Sequence, residues 1–295
     1  MASVSTTTTT AAVLIPEIWT GKTVKAIRFA AVLLKTVDTH FEADLPYGDT
    51  INIPLTVNPS VATKAQAYAT PIEFQAHTLN WQQVTVSTYI AGGVLVERPV
   101  EKQSKYDVVA IYTDGLGYRL GNNLEAAITA EYDNFPTAND VGSLTSEATH
   151  DDYITIMTNL DTYACPYPRY LVVGSKAHGA LLKLDPVVHA DYQGAVTAGR
   201  VGATGMVGHF MGFDVVVSLN VVASGAGHLC GAYNPGNIIM IVQDKPNTKT
   251  DYMIEHNSMA LIGWTIYGLA IAKREPEAAG GGAEDAYWGC LLKNQ

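Results

Sequence analysis

At 295 residues the chain is long enough for one large domain or two ordinary ones. Its residues are 47% hydrophobic and only 16% charged, with a net charge of −10, which excludes a disordered chain and argues against a nucleic-acid reader, whose footprint is basic. So few ionic side chains cannot dress the whole surface, and much of it is expected to be covered by partners.

Residues 1 to 12 are rich in Ser, Thr and Ala, with Thr6 to Thr10 an unbroken run, and read as a flexible arm that burial cannot order. Pro16-Glu17 is a helix start, and Val24, Ile27, Ala31 and Leu34 share one helical face, which predicts a helix over 16–36. Its charges Lys22, Lys25, Arg28 and Lys35 are all basic; they form either a surface for an acidic neighbour or nucleic acid, or a solvated face.

The turn Pro46-Tyr47-Gly48-Asp49 opens a strand in which Ile51, Ile53, Leu55 and Val57 alternate with polar residues or proline. A second alternating strand, through Val84, Val86, Thr88 and Ile90, follows only after the long stretch Asn58 to Trp81. Connections above ~12–15 residues are uncommon in compact domains, so this stretch reads as an extended hairpin arm that needs another surface, or as a mobile loop. Glu97-Arg98-Pro99 starts a helix whose apolar positions Val109, Tyr112, Leu116, Leu120, Leu124 and Ile128 predict one long strut from Val100 to about Asn134. Gly115, Gly117 and Gly121 inside it either allow close packing or let it bend.

Thr149, with Asp152 three residues on, caps a short helix through Ile154, Met157 and Leu160. A mixed unit follows: a strand over Tyr170 to Val173, a helix over Ser175 to Leu184, a glycine-rich loop or hairpin over Gly199 to Gly208, and strands over Phe213 to Ser218 and Ile238 to Val242. Strand-like segments Tyr252 to Ala260 and Trp264 to Ala272 precede an acidic, glycine-rich tail, Glu275 to Asp285.

Motifs for chemistry are absent. Gly202-x-x-Gly205-x-x-Gly208 leads into a strand rather than a helix, so it is no dinucleotide fingerprint. His150-Asp151-Asp152 lacks a second histidine one turn away to hold a metal, and Cys165 has no local base. Cys165, Cys230 and Cys290 are odd in number and far apart, which suggests neither a disulfide framework nor a zinc site and fits a reducing compartment. The longest apolar run, Leu261 to Ala272, holds 12 residues and includes Gly263, Thr265 and Gly268, short of the ~20 that span a membrane. No basic residue precedes Lys22 and the apolar stretch Ala11 to Ile15 is short, so no signal peptide is expected.

The order of arm, helix, strand, hairpin arm, strand, long helix, α/β insert and closing strands resembles the major capsid protein of tailed bacteriophages, a fold also seen in herpesvirus capsids and encapsulins. Ile15-Pro16-Glu17-Ile18-Trp19, then Tyr47-Gly48-Asp49-Thr50-Ile51-Asn52-Ile53-Pro54, looks like the start of coat proteins of short-tailed phages. Arg169 to Val173 ahead of a helix, and Gly212-Phe213-Asp214-Val215 to Ser218-Leu219-Asn220, add to the likeness, which covers nearly the whole chain. The resemblance implies an α+β capsid fold: an N-arm with the basic helix over 1–36, the first part of a peripheral domain over 37–160 with an extended loop near 46–82 and a spine helix near 99–134, an axial domain over 161–245, and a return to the peripheral domain with an acidic, glycine-rich tail over 246–295.

It further implies a structural protein, not an enzyme, without cofactor or metal. Copies would self-assemble into hexamers and pentamers of an icosahedral shell around double-stranded DNA, in the virion and, during assembly, the host cytoplasm. Partners would be other copies, a scaffolding protein, a portal and a cement or decoration protein, with non-specific DNA contact and no membrane. An encapsulin-type compartment is the alternative with the same fold, and a soluble enzyme a distant third. Expected interface positions are Lys22, Lys25, Arg28, Lys64, Tyr68 and Trp81. Some relatives weld this loop to a neighbour by a lysine–asparagine bond; Lys64 would be the donor, but no local signature supports that chemistry.

Overall fold

A computed structural model of the chain describes residues 32–55, 81–104, 106–184, 208–225, 227–273 and 288–294. Strands and helices segregate as expected for an α+β chain, in three sheets.

The smallest sheet is the hairpin root. β1 (Thr50–Pro54) pairs antiparallel with β2 (Trp81–Thr85), and Ile51 and Ile53 turn inward as their alternation requires. The strand expected to run on through Ile90 is interrupted after Thr85: β3 (Thr88–Glu97) belongs to a different sheet. There β10 (Ile238–Met253), β11 (Ser258–Ile271) and β3 lie side by side, all antiparallel. The segment anticipated as one strand over Tyr252 to Ala260 contains the turn of this hairpin, where Asn257 takes a left-handed conformation (φ 45°).

One long helix was expected from Val100 to Asn134; the chain forms two. α1 (Arg98–Gln103) stops because the Ser104 hydroxyl donates to the Tyr106 carbonyl (3.0 Å) and accepts from the Tyr106 amide (3.1 Å), drawing the backbone out of the helix. The Asp107 carboxylate then accepts from the Ala110 amide (3.0 Å) and starts α2 (Val108–Ala130), about 35 Å long at ~1.5 Å per residue. A 3-10 turn, Glu131–Asn134, ends it. α2 lies across the three-stranded sheet with Leu116 and Leu120 facing Gly92 and Gly263, which oppose each other on β3 and β11. A methyl group at Gly263 would sit 3.1 Å from Leu120 Cδ1, so helix and sheet approach as closely as they do because these positions lack side chains.

The third sheet has seven strands in the order β4 (Val141–Gly142), β12 (Gly289–Asn294), β9 (Gly227–Tyr233), β5 (Tyr170–Val173), β7 (Phe213–Val217), β6 (His209–Phe210), with β8 (Ala223–Ser224) also on β9. α3 (His150–Thr162), begun by the expected Thr149–Asp152 capping box, and α4 (Ser175–Leu181) pack on it. Neither β9 nor β12 was anticipated from the sequence; β12, which follows the tail read over Glu275 to Asp285, is buried between β4 and β9. The main core runs without a break from Leu124, Ile128 and Tyr132 to Ile156, Leu171 and Leu292, so α2 joins the two larger sheets. A smaller core, Leu45, Val84, Val86, Ile239 and Ile241, serves the hairpin root.

Candidate assembly surfaces

The hairpin root is braced from three sides. The Gln82 side chain is buried and continues the β11 ladder beyond its last residues, donating to the Ile271 carbonyl and accepting from the Lys273 amide, both at 2.6 Å. Gln243 on β10 donates to the Gly48 carbonyl at 2.8 Å, and Val86 N–H reaches the Asp49 carbonyl at 2.7 Å. Ile51 and Ile53 seal the small core beneath. Two strands alone are marginal in water; this anchorage fixes the direction in which the chain leaves at Leu55 and returns at Trp81. Trp81 itself, paired with Pro54, is 68% exposed and borders an open groove of about 490 Å³ with Gln83, Glu131, Asn134 and Lys273. Of the expected interface positions it alone is described; Lys22, Lys25, Arg28, Lys64 and Tyr68 lie outside the described residues, as do 16–31 of the expected basic helix and 199–207 of the glycine-rich loop. Leu33–Lys35, at the end of that helix, is a 3-10 turn rather than α-helix.

Residues 32–38 form a second anchored point. The carboxylate of Glu125, fully buried on α2, accepts from the Val32 and Leu33 amides (the latter at 2.8 Å), from Asn220 Nδ2 (2.7 Å) and from the Ser218 hydroxyl (3.2 Å). Thr36 shares a 2.7 Å hydrogen bond with the Tyr233 hydroxyl, which meets that of Tyr132 at 3.1 Å. Asp38 exchanges backbone bonds with Ile238 and Met240, both 2.9 Å. Neutral donors thus satisfy a charge inside the protein, where an unpaired one would be costly. The sequence offered no sign of this, because the partners of Glu125 lie more than 90 positions away.

The buried thiols and phenols of the core are held protonated. Burial pushes the Cys230 thiol up to about 11 and the Cys290 thiol to about 12 from 9.0. Burial likewise raises Tyr233 from 10.0 to about 12, against the lowering effect of hydrogen bonds from Thr36 and Tyr132, and raises Tyr132 and Tyr153 further. None of the three cysteines is in a disulfide, and all are buried. Among the described residues no group of three or more His, Cys, Asp or Glu is placed to hold a metal, and no helix is long and apolar enough to cross a membrane.

Elsewhere the surface exposes large apolar side chains: Tyr89, Leu95 and Ile262 on the three-stranded sheet, Ile254 at the tip of the β10–β11 hairpin, and Leu219 beside the seven-stranded sheet. Singly such residues are ordinary; here they accompany a chain-wide shortage of charge.

A family model described as phage capsid protein matches residues 81–280. No curated protein sequence matches the chain. Among solved structures it is similar to a chain of Mycobacterium phage Che8 (17% identity, TM-score 0.74, covering 94% of this chain and 96% of that one). It is similar also to the capsid structure of the Cyanophage P-SCSP1u (15%, TM-score 0.71, covering 95% and 92%). A third likeness is to the capsid of a native GTA particle (12%, TM-score 0.68, covering 99% of each). At such identities these likenesses establish a shared fold over almost the full length.

Proposed function

Since the chain belongs to the phage capsid protein family and is a shell-forming structural protein, we propose that its copies assemble into hexamers and pentamers that close an icosahedral capsid around phage double-stranded DNA. The observation that carries this reading is the hairpin root: Gln82 and Gln243 fix β1 and β2 on the body, yet Trp81, at the open end of the pair, stands exposed. Laid on a neighbour, the arm becomes a clasp, and the apolar sheet surface becomes interface; permanent interfaces bury ~2,000–5,000 Å² with few charges. The mooring of residues 32–38 supports assigning 1–36 as a second clasp, with Lys22, Lys25 and Arg28 facing DNA or an acidic scaffold. Residues 161–245 would surround the capsomer centre. Lys64, Tyr68 and Trp81 would lie on the neighbour.

A scaffolding protein, a portal and a decoration protein are the further partners this reading calls for, with assembly in the host cytoplasm. Family membership weighs against a cargo compartment. Electron microscopy of the expressed protein tests the proposal: closed particles are expected, and native particles should be DNA-filled. A protein that stayed monomeric at high concentration with scaffold supplied would refute it. Denaturing electrophoresis of particles should show single chains, since nothing local supports a Lys64 cross-link.

A further inference from the structure

The three-stranded sheet has two outer edges, and they are built differently. The β10 edge carries Asp244, Lys245, Pro246, Lys249 and Asp251, and its register with β11 shifts twice, between Val242 and Asp244 and between Asp244 and Asn247. Charges, a proline and bulges are the means by which an edge strand refuses another strand. The β3 edge has none of them. From Thr88 through Val96 it contains no charge and no proline, and it pairs with β11 in unbroken register from Thr88↔Tyr267 to Glu97↔Ser258. Among the described residues no strand lies on its other side. Half of its backbone N–H and C=O groups therefore point outward along about 34 Å, at ~3.4 Å per residue. Its solvent face presents Tyr89 and Leu95, 61% and 53% exposed, beside Ile262 of β11, 47% exposed. Such an edge on a free subunit is a template for pairing.

We infer that the outer edge of β3 is a strand-pairing site for a second copy of this chain, which contributes its uncharged segment Ala2–Ile15. The inference rests on the shell reading, which supplies the copy. A strand bearing charges would set them over Tyr89 and Leu95, so the occupant must be uncharged. Residues 2–15 contain no charged residue, proline or glycine, and eight of the fourteen are β-branched, suited to an extended conformation. Pro16 then stops the ladder. Main-chain bonds supply affinity, and the exposed side chains of Tyr89 and Leu95 give the incoming strand apolar surface to cover.

The test uses the full-length chain. Ala91 is exposed on the solvent face of β3, so Ala91→Lys should leave the subunit's melting temperature and circular dichroism unchanged but lower particle yield at least ten-fold. Thr250→Lys, exposed on the β10 edge, should assemble like the parent. Independently, Ala91→Cys combined in turn with cysteine at each of Thr6 to Thr10 should, on oxidation of particles, give disulfide-linked multimers; the three native thiols are buried and do not compete. Parental yield from Ala91→Lys, no cross-link at any of the five positions, or cross-links only within single chains would each overturn the inference while leaving the shell reading intact. Failure of the parent to form particles would sink that reading, and the inference with it.

Discussion

At Glu125 four neutral donors from two distant parts of the chain meet one buried carboxylate. Glu125→Ala leaves two backbone amides, a hydroxyl and an amide without an acceptor, each costing about 1–3 kcal/mol when buried; a loss of at least about 3 kcal/mol is expected in urea denaturation. Glu125→Gln keeps one oxygen and should lose less. A loss below 1 kcal/mol on removing the carboxylate would show that water replaces it. The raised thiols and phenols give a second expectation. Each binds its proton more tightly in the folded state than in the unfolded chain, so their stabilisation is complete below about pH 9. It falls as pH rises toward 11 for Cys230 and 12 for Cys290 and Tyr233, by about 1.4 kcal/mol per pH unit for each group. Cooperative unfolding in that alkaline window, with thiols unreactive to an aromatic disulfide at pH 8, checks it; thiols that react at once would contradict the burial.

Among the elements, α2 shows how one helix can meet two demands. Its second half is core, through Leu120, Leu124 and Ile128, while in its first half Ile111 and Tyr112 are 45% and 44% exposed. Gly115 and Gly117 lie there with open space where a Cβ would stand, so the close packing read as one of their roles is not realised within the subunit. Gly115→Ala and Gly117→Ala should each stabilise the isolated subunit by up to about 1 kcal/mol, since Gly is a poor helix former. If they also block particle formation, a neighbour's backbone needs that space in the shell. Gly263→Ala should do the opposite, destabilising by about 1–3 kcal/mol as Leu120 is pushed off the sheet. Thermal melts of the three variants separate these outcomes.

For the whole molecule, the hairpin root has its own core and its own hydrogen bonds to β10 and β11. Replacing Pro59 to Leu79 by a short turn should therefore leave a folded subunit with unchanged melting behaviour, yet abolish or malform particles. Normal shells from that variant would remove the clasp from the account. The shortage of charge noted at the outset acquires a location at this scale: β3 is uncharged from end to end until Glu97, and apolar side chains stand out on its solvent face.

Local chemistry was legible from the sequence wherever one short stretch held all the partners. The Thr149–Asp152 capping box, the alternation of Ile51 and Ile53, and the apolar run Tyr170–Val173 each name their own element, and the order of such elements was enough to point to the capsid family. Tertiary structure decided what depends on residues far apart in the chain. Ser104 and Asp107 divide the long helix because their side chains bind backbone groups more favourably than the helix continues. Gly289–Asn294 becomes a buried strand because β4 and β9 supply its ladders from some 150 and 60 residues away, respectively. Glu125 becomes an anchor because residues 32, 33, 218 and 220 converge on it. Hydrogen bonds and burial act between neighbours in space, and only the folded chain says which residues those are.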